Sequence, residues 1–387
     1  MIKQTSFSRE WLEATRKKYR IGDIKLLERV IHAFALLEML SASGLDFVFK
    51  GGTCLMLLFP GKPARMSVDI DIICPPGTKI ETYLKDYEKY GFSQMEMQER
   101  KNPVGINVPK EHAKLQYYVN FSNGGDDTNH IVLDVLYANH HYGHLDTLPI
   151  KSDLWESEGS ELTVKVPSVA DMLADKLSAF APNTTGIPYF KRKAALPADD
   201  EAFSSDTSAD SQEKDKNCSV EIIKQLFDIG RLYEAVKDIA SVAKIFPEIC
   251  CEEMQYRDNS FDINAVYDDI RMTAMCLALK GEYQPDNYSL LSKGVQDFKS
   301  FLFDSRLYNE HKAVADAAKA AYLATAIQFS ELNLLKYAGP ESIPSGKWSF
   351  TLPLHERLNA IRKDKTEAFY YWIQISKLLS AHGEDSN

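Results

Sequence analysis

Residues 47–73, FVFKGGTCLMLLFPGKPARMSVDIDII, constrain the fold more than any other stretch of the chain. Phe47, Val48 and Phe49 form a short run of strand-forming apolar residues. Lys50 leads directly into Gly51 and Gly52. Glycine has no Cβ, so the pair tolerates strained backbone and lets a ligand approach closely. Thr53 is placed to cap a helix predicted over Cys54–Phe59, which Pro60 and Gly61 end. A helix N-terminus offers free N–H groups and partial positive charge, a setting that suits phosphate. Val68–Ile73 then alternates as a strand, with Asp69 and Asp71 on one face and Val68, Ile70 and Ile72 on the other. Two adjacent carboxylates repel unless a cation lies between them. Mg²⁺ takes such oxygen ligands, together with substrate phosphates. The order implies a nucleoside triphosphate held over a divalent metal. Without the glycines, a D-x-D pair reads equally as a solvated edge strand.

A third acid follows. Residues 114–137 read as a hairpin, in which Leu115, Tyr117, Val119 and Phe121 alternate with more polar residues. Ser122–Asp127, containing Asn-Gly, supplies the turn. In the return strand, Ile131–Tyr137, Asp134 is a lone charge in an apolar run. A buried unpaired carboxylate is costly, so Asp134 is expected on a metal, in a pair or at a sheet end. Bonding to a backbone amide is the structural alternative.

The combination Gly51-Gly52-Thr53, Arg65-x-Ser67-x-Asp69-x-Asp71 and Asp134 resembles the DNA polymerase β-type nucleotidyltransferase superfamily. Within it, the K-G-G-T and R-x-S-x-D-x-D form resembles the AbiEii/AbiGii toxin family, the toxin half of type IV toxin–antitoxin and abortive-infection systems. Two later segments fit that likeness. Pro167–Ala179 looks like the family helix that carries an active-site lysine, here Lys176. Lys224-Gln225-Leu226-Phe227-Asp228-Ile229 looks like its later K-D-x-x-D-L motif, with Gln225 in place of the usual acid. The resemblance covers roughly residues 45–235. It implies that Asp69, Asp71 and Asp134 ligate Mg²⁺ or Mn²⁺, or that Asp134 acts as base toward the attacking hydroxyl. Gly51 and Gly52 would cradle phosphates, with Lys50, Thr53, Arg65 and Ser67 beside the nucleotide. Lys176 would contact phosphates, and Asp228 would orient that lysine or the acceptor.

Local pattern agrees for Lys176. Ser168 and Asp171 make a capping-box start, so Lys176 lies two turns into a helix entered from a strand at Leu162–Val166. The bland alternatives are a solvated lysine and, for Asp228, a surface pair with Arg231 on an amphipathic helix.

Composition bounds the rest. With 387 residues the chain is long enough for two or three domains. Lys+Arg is 45 against Asp+Glu 55, a net charge of −10, which argues against broad sequence-independent nucleic-acid binding. Local basic segments, Arg16–Arg20 and Lys191-Arg192-Lys193, remain candidates for RNA phosphates, although solvated faces explain each equally. The six cysteines lack metal or disulfide spacing, which fits reduced thiols in a cytoplasm. His140, His141 and His144 form H-H-x-x-H with no cysteine or acid to complete a zinc set. No signal peptide opens the chain, and no apolar run approaches the ~18 residues that span a membrane.

The expected fold is α+β, a nucleotidyltransferase-type mixed sheet flanked by helices, followed by a helical C-terminal domain. Residues 8–20 and 23–41 read as helices of an N-terminal segment, 1–44, that packs on the core. Residues 45–193 form the nucleotidyltransferase domain. Residues 194–217 hold seven acids against two lysines and read as an acidic flexible insertion. Residues 218–387 form the helical domain, with helices over Ala313–Ile327 and Leu354–Leu379 and a break at Gly339–Gly346. The leading functional expectation is a metal-dependent toxin transferring an NMP unit from an NTP to a hydroxyl, with the tRNA 3′ end as acceptor and a cognate antitoxin as partner. Two alternatives stand beside it: a nucleotidyltransferase acting on a small molecule, and a non-catalytic nucleotide-binding interaction protein.

Overall fold

A computed structural model describes all residues except 60, 62–64, 100–107, 121–126, 192–214, 258–261, 351–353 and 384–387. The chain divides into two compact units. The first comprises Met1–Lys101, Asn107–Ser168 and Lys299–Leu307; the second comprises Asn102–Ile106, Val169–Phe298 and Tyr308–Asn387.

The first unit is built on a mixed sheet. Its strands are β1 (Val48–Lys50), β2 (Ile70–Cys74), β3 (Gln94–Glu99), β4 (Lys110–Tyr118), β5 (Thr128–Tyr137), β6 (Leu145–Pro149) and β7 (Thr163–Pro167). They lie in the order β3-β4-β5-β2-β1-β7-β6. The β2–β5 and β1–β7 pairs are parallel, and the others are antiparallel. The hairpin expected from the alternation is present as β4 and β5, while its Asn-Gly turn lies outside the described residues.

Helices α1 (Arg9–Tyr19) and α2 (Ile24–Ala42) match the helices expected over 8–20 and 23–41. Asp23 caps α2 by accepting from the N–H groups of Lys25 and Leu26. Helix α2 touches β2 and β5 and is buried over most of its circumference, including Glu28, His32 and Glu38. The two glutamates each have a hydrogen-bond partner. Glu38 accepts the Ile2 N–H at 2.7 Å, and Glu28 accepts from Asn120. His32 stacks on Tyr117, and burial pushes its imidazole down to about 3, so it packs as a neutral ring.

Helix α3 (Gly51–Leu58) begins three residues earlier than the sequence suggests. Lys50 is its N-cap residue, with no side-chain cap bond, and Thr53 sits inside the first turn. The Thr53 hydroxyl donates instead to the Asp69 carbonyl at 2.7 Å. Strand β2 likewise begins at Ile70, so Asp69 precedes the strand rather than lying in it.

The second unit is helical. It contains α4 (Val169–Ala179), α5 (Ser219–Ala235), α6 (Ile239–Tyr256), α7 (Ile263–Ala278), α8 (Pro285–Asp297), α9 (Glu310–Gln328) and α10 (Thr366–Ala381). Helix α4 packs on α5 and α6, and α9 packs on α5, α7 and α10. The alanines of α9 permit this close packing, and all of them are buried. Lys319, 1% exposed, ties three helices through Glu234 at 2.6 Å and Glu367 at 2.7 Å. The C-terminal apolar segment is not one helix: a 3₁₀ helix at His355–Ile361 precedes α10, and at the break Lys365 bonds Glu310 at 3.3 Å.

Most of the acidic segment 194–217 and residues Arg192 and Lys193 lie outside the described residues. The flanks of the segment pair as a short antiparallel ladder, Phe190–Lys191 with Lys216–Asn217. Among the described residues no helix is long and apolar enough to cross a membrane, and no two cysteines form a disulfide.

Candidate active site

The first unit carries a polar rung across its sheet. Lys50 of β1 is in register with Asp71 of β2, and Asp71 with Asp134 of β5. Asp134 is in register with His112 of β4, and His112 with Gln98 of β3. Directly opposed residues on paired strands project to the same face, so these five side chains form one line. The adjoining rung, Phe49, Ile72 and Val135, projects to the other face and is buried. The same period of two that buries Ile70, Ile72, Leu133 and Val135 therefore lifts Asp71 and Asp134 out of the core. His112 is only 9% exposed, and its Nδ1 is in direct contact with Asp134 Oδ1.

A second feature adjoins this line. Gly51 has φ +80, and a Cβ there would lie 2.0 Å from Asp71 Oδ2. Glycine is required twice, for the left-handed backbone and for the carboxylate lying over it. A Cβ on Gly52 would meet Arg65 Nη2 at 2.4 Å and Ser67 Oγ at 2.9 Å. The guanidinium and the hydroxyl are thus laid across the first turn of α3. Helix N–H groups, a cation and a hydroxyl at one helix start make a corner whose chemistry suits an anion. Substituting Gly51 with alanine is expected to cost about 1–3 kcal/mol in backbone strain and to displace Asp71. Thermal melting and a transfer assay check this, and an alanine variant matching wild type in both would refute the reading.

The segment holding Arg65 has a partner far along the chain. Met66 N–H donates to the Phe301 carbonyl at 2.8 Å, and Arg65 bridges Leu302. Residues Lys299–Leu307 thereby strap the Arg65–Ser67 segment from within the same unit. No local signal in the sequence separates this strap from the helices on either side of it.

The expected lysine lies in the second unit. Lys176 on α4 is 7% exposed, which excludes a solvated surface residue. Its Nζ pairs with Asp228 Oδ2 at 3.2 Å and donates to Gln225 Oε1 at 2.8 Å. Asp228 is 1% exposed and is therefore not a surface acid. Gln225 and Asp228, three apart on α5, face the same way and meet Lys176 together.

Among the described residues, no three His, Cys, Asp or Glu side chains converge as a ready metal cage. Asp69 is exposed ahead of its strand, and one oxygen of Asp134 is turned to His112. The histidine cluster at 140–144 gathers no such set either: His140 stacks on Tyr142, and His144 pairs with Asp146 at 3.2 Å.

A mixed sheet in one unit and a bundle of helices in the other define an α+β protein. Residues 35–326 match the model of the nucleotidyl transferase AbiEii toxin family, type IV toxin–antitoxin system, and the chain belongs to that family. It is accordingly a toxin-class nucleotidyltransferase. Among solved structures, it is similar to MenT4, a nucleotidyltransferase toxin from Mycobacterium tuberculosis. That likeness is 15% identical, covers 81% of this chain and 98% of that one, and has a TM-score of 0.40. The JHP933 protein of Helicobacter pylori is 10% identical, with 79% and 95% covered and a TM-score of 0.38. No curated protein sequence matches the chain significantly.

Proposed function

We propose that the chain transfers an NMP unit from an NTP to the 3′ end of tRNA, in a divalent-metal-dependent reaction restrained by a cognate antitoxin in the cytoplasm. The observation that carries this reading is the rung that sets Asp71 and Asp134 side by side next to Gly51. The residues fit a divalent cation. Asp71 and Asp134 offer hard oxygen donors on one rung, with Asp69 proposed to join them, and the absence of a Cβ on Gly51 leaves room for the Asp71 carboxylate. Mg²⁺ or Mn²⁺, when bound there, supplies charge neutralisation for the triphosphate and the attacking oxygen.

The protein's own groups do the remaining work. Gly51, Gly52 and Thr53 bring the N-terminus of α3 to the phosphates, and Lys50, Arg65 and Ser67 supply a cation pair and a hydroxyl. Lys176 is assigned to the phosphates, with Asp228 and Gln225 fixing its ammonium. The acceptor oxygen forms a bond to the α-phosphorus while the α–β bridging P–O bond breaks. Pyrophosphate departs, and the hydroxyl proton passes to solvent. Membership of a type IV toxin–antitoxin family supports the antitoxin.

Incubating the protein with Mg²⁺, each α-labelled NTP and total bacterial tRNA tests the reading, with Asp69→Ala/Asp71→Ala as blank. Label on tRNA from the wild type alone is the expected result. Label on protein or on a small molecule would replace the acceptor, and bound NTP without any transfer would replace catalysis by nucleotide sensing.

A further inference from the structure

His112 has no place in the sequence motifs, yet it completes the acid rung. We propose that His112 is a positioning residue for Asp134, holding one carboxylate oxygen so that the other faces the metal and nucleotide. The inference rests on the metal-dependent reading given above.

Three observations carry it. First, the β4–β5 ladder puts His112 directly across from Asp134, on the side away from Asp71. Asp134 is thus flanked by a carboxylate on one strand and an imidazole on the other. Second, His112 Nδ1 touches Asp134 Oδ1. An imidazole that carries its hydrogen on Nδ1 donates to a carboxylate oxygen so placed. Third, Asp134 Oδ1 is buried, while the side chain as a whole is 35% exposed. The exposed part is therefore the Oδ2 side, and Oδ2 is the oxygen open to a ligand. His112 fixes which oxygen that is. Burial of His112 on its strand restricts its ring, so the contact is preorganised rather than one rotamer among many.

The physical need is plain. Asp71 and Asp134 are like charges in register, and each gains by turning away from the other. A donor on the far side of Asp134 offsets that repulsion and holds the carboxylate's orientation in the unliganded protein. Groups behind a metal ligand commonly change metal affinity or activity by about 10–100-fold when removed.

Mn²⁺ binding to the full chain, followed by electron paramagnetic resonance without nucleotide, tests the assignment. His112→Leu keeps the volume and loses the donor; Mn²⁺ affinity is expected to fall about 10–100-fold. His112→Asn returns an N–H close to the Nδ1 position and is expected to stay within about threefold of wild type by the same measure. His112→Gln carries its N–H where Nε2 was and is expected to behave like leucine; it replaces the leucine variant if that one does not fold. In the transfer assay, kcat should follow the same order, with KM for NTP changing less. Wild-type Mn²⁺ affinity in the leucine or glutamine variant overturns the proposal. So does an asparagine variant that folds yet binds as weakly as leucine. If the wild type binds no Mn²⁺ at all, the metal reading itself fails and the assignment falls with it. Wild-type binding that is lost in Asp71→Asn but kept in His112→Leu removes His112 alone.

Discussion

Replacing Asp71 with asparagine is expected to lower NMP transfer by about a thousandfold or more while raising the melting temperature. The two effects share one cause. Asp71 and Asp134 are register partners on parallel strands, about 4.8 Å apart at the backbone. Like charges so placed destabilise a sheet, and in the partly solvated setting here the cost is of order 1 kcal/mol. Lys50 on one side and His112 on the other soften it without removing it. Asparagine keeps the size and the fit over Gly51 but removes one charge. For a unit of this size, 1 kcal/mol corresponds to about 2–4 °C. The same change removes a ligand oxygen from the proposed metal set, where charge stabilisation is worth several kcal/mol. At 1.4 kcal/mol per decade, about 4 kcal/mol is a thousandfold. Melting curves and initial rates decide it. More than a tenth of wild-type activity would remove Asp71 from the chemistry. A melting temperature several degrees lower would make the carboxylate a structural group rather than a strained functional one.

Where the sequence was legible, a short-range period carried the information. Asp71 and Asp134 break an apolar alternation, and a lone acid at that spacing is visible without any partner. Lys176 was visible only through the family motif, because nothing local distinguishes a buried lysine from a solvated one. The residues that remained hidden depend on long-range register. His112 and Asp134 are 22 positions apart and meet only because β4 and β5 pair with one particular offset. The strap at Lys299–Leu307 returns to Arg65 across more than two hundred residues, and its sequence looks like its helical surroundings. The start of α3 at Gly51 is hidden for a different reason. Glycine is a poor helix former, so Gly51 and Gly52 read as a loop. Asp71, Arg65 and Ser67 occupy the space that side chains at these positions would take, so the site overrides propensity there.

The buried pair on the second unit leads to the other large effect. Substituting Asp228 with alanine is expected to destabilise that unit by about 3–5 kcal/mol, a fall of roughly 6–20 °C in its melting temperature. Lys176 Nζ would be left buried, with Gln225 Oε1 as a neutral acceptor in place of a carboxylate partner. An amide oxygen satisfies one N–H but does not balance the charge, and an ammonium cut off from water is costly. Removing both partners avoids that cost. Lys176→Met/Asp228→Leu, filling the space with apolar side chains, is expected to recover most of the lost stability, as buried pairs replaced by packing commonly do. The double variant separates two roles that the single one confounds. If Lys176 serves the nucleotide, the double variant folds near wild type and still transfers nothing. If the pair only braces α4 against α5, the double variant regains transfer together with stability. An Asp228→Ala protein melting within about 2 °C of wild type would contradict the buried-charge argument, since less than about 1 kcal/mol could then depend on the pair.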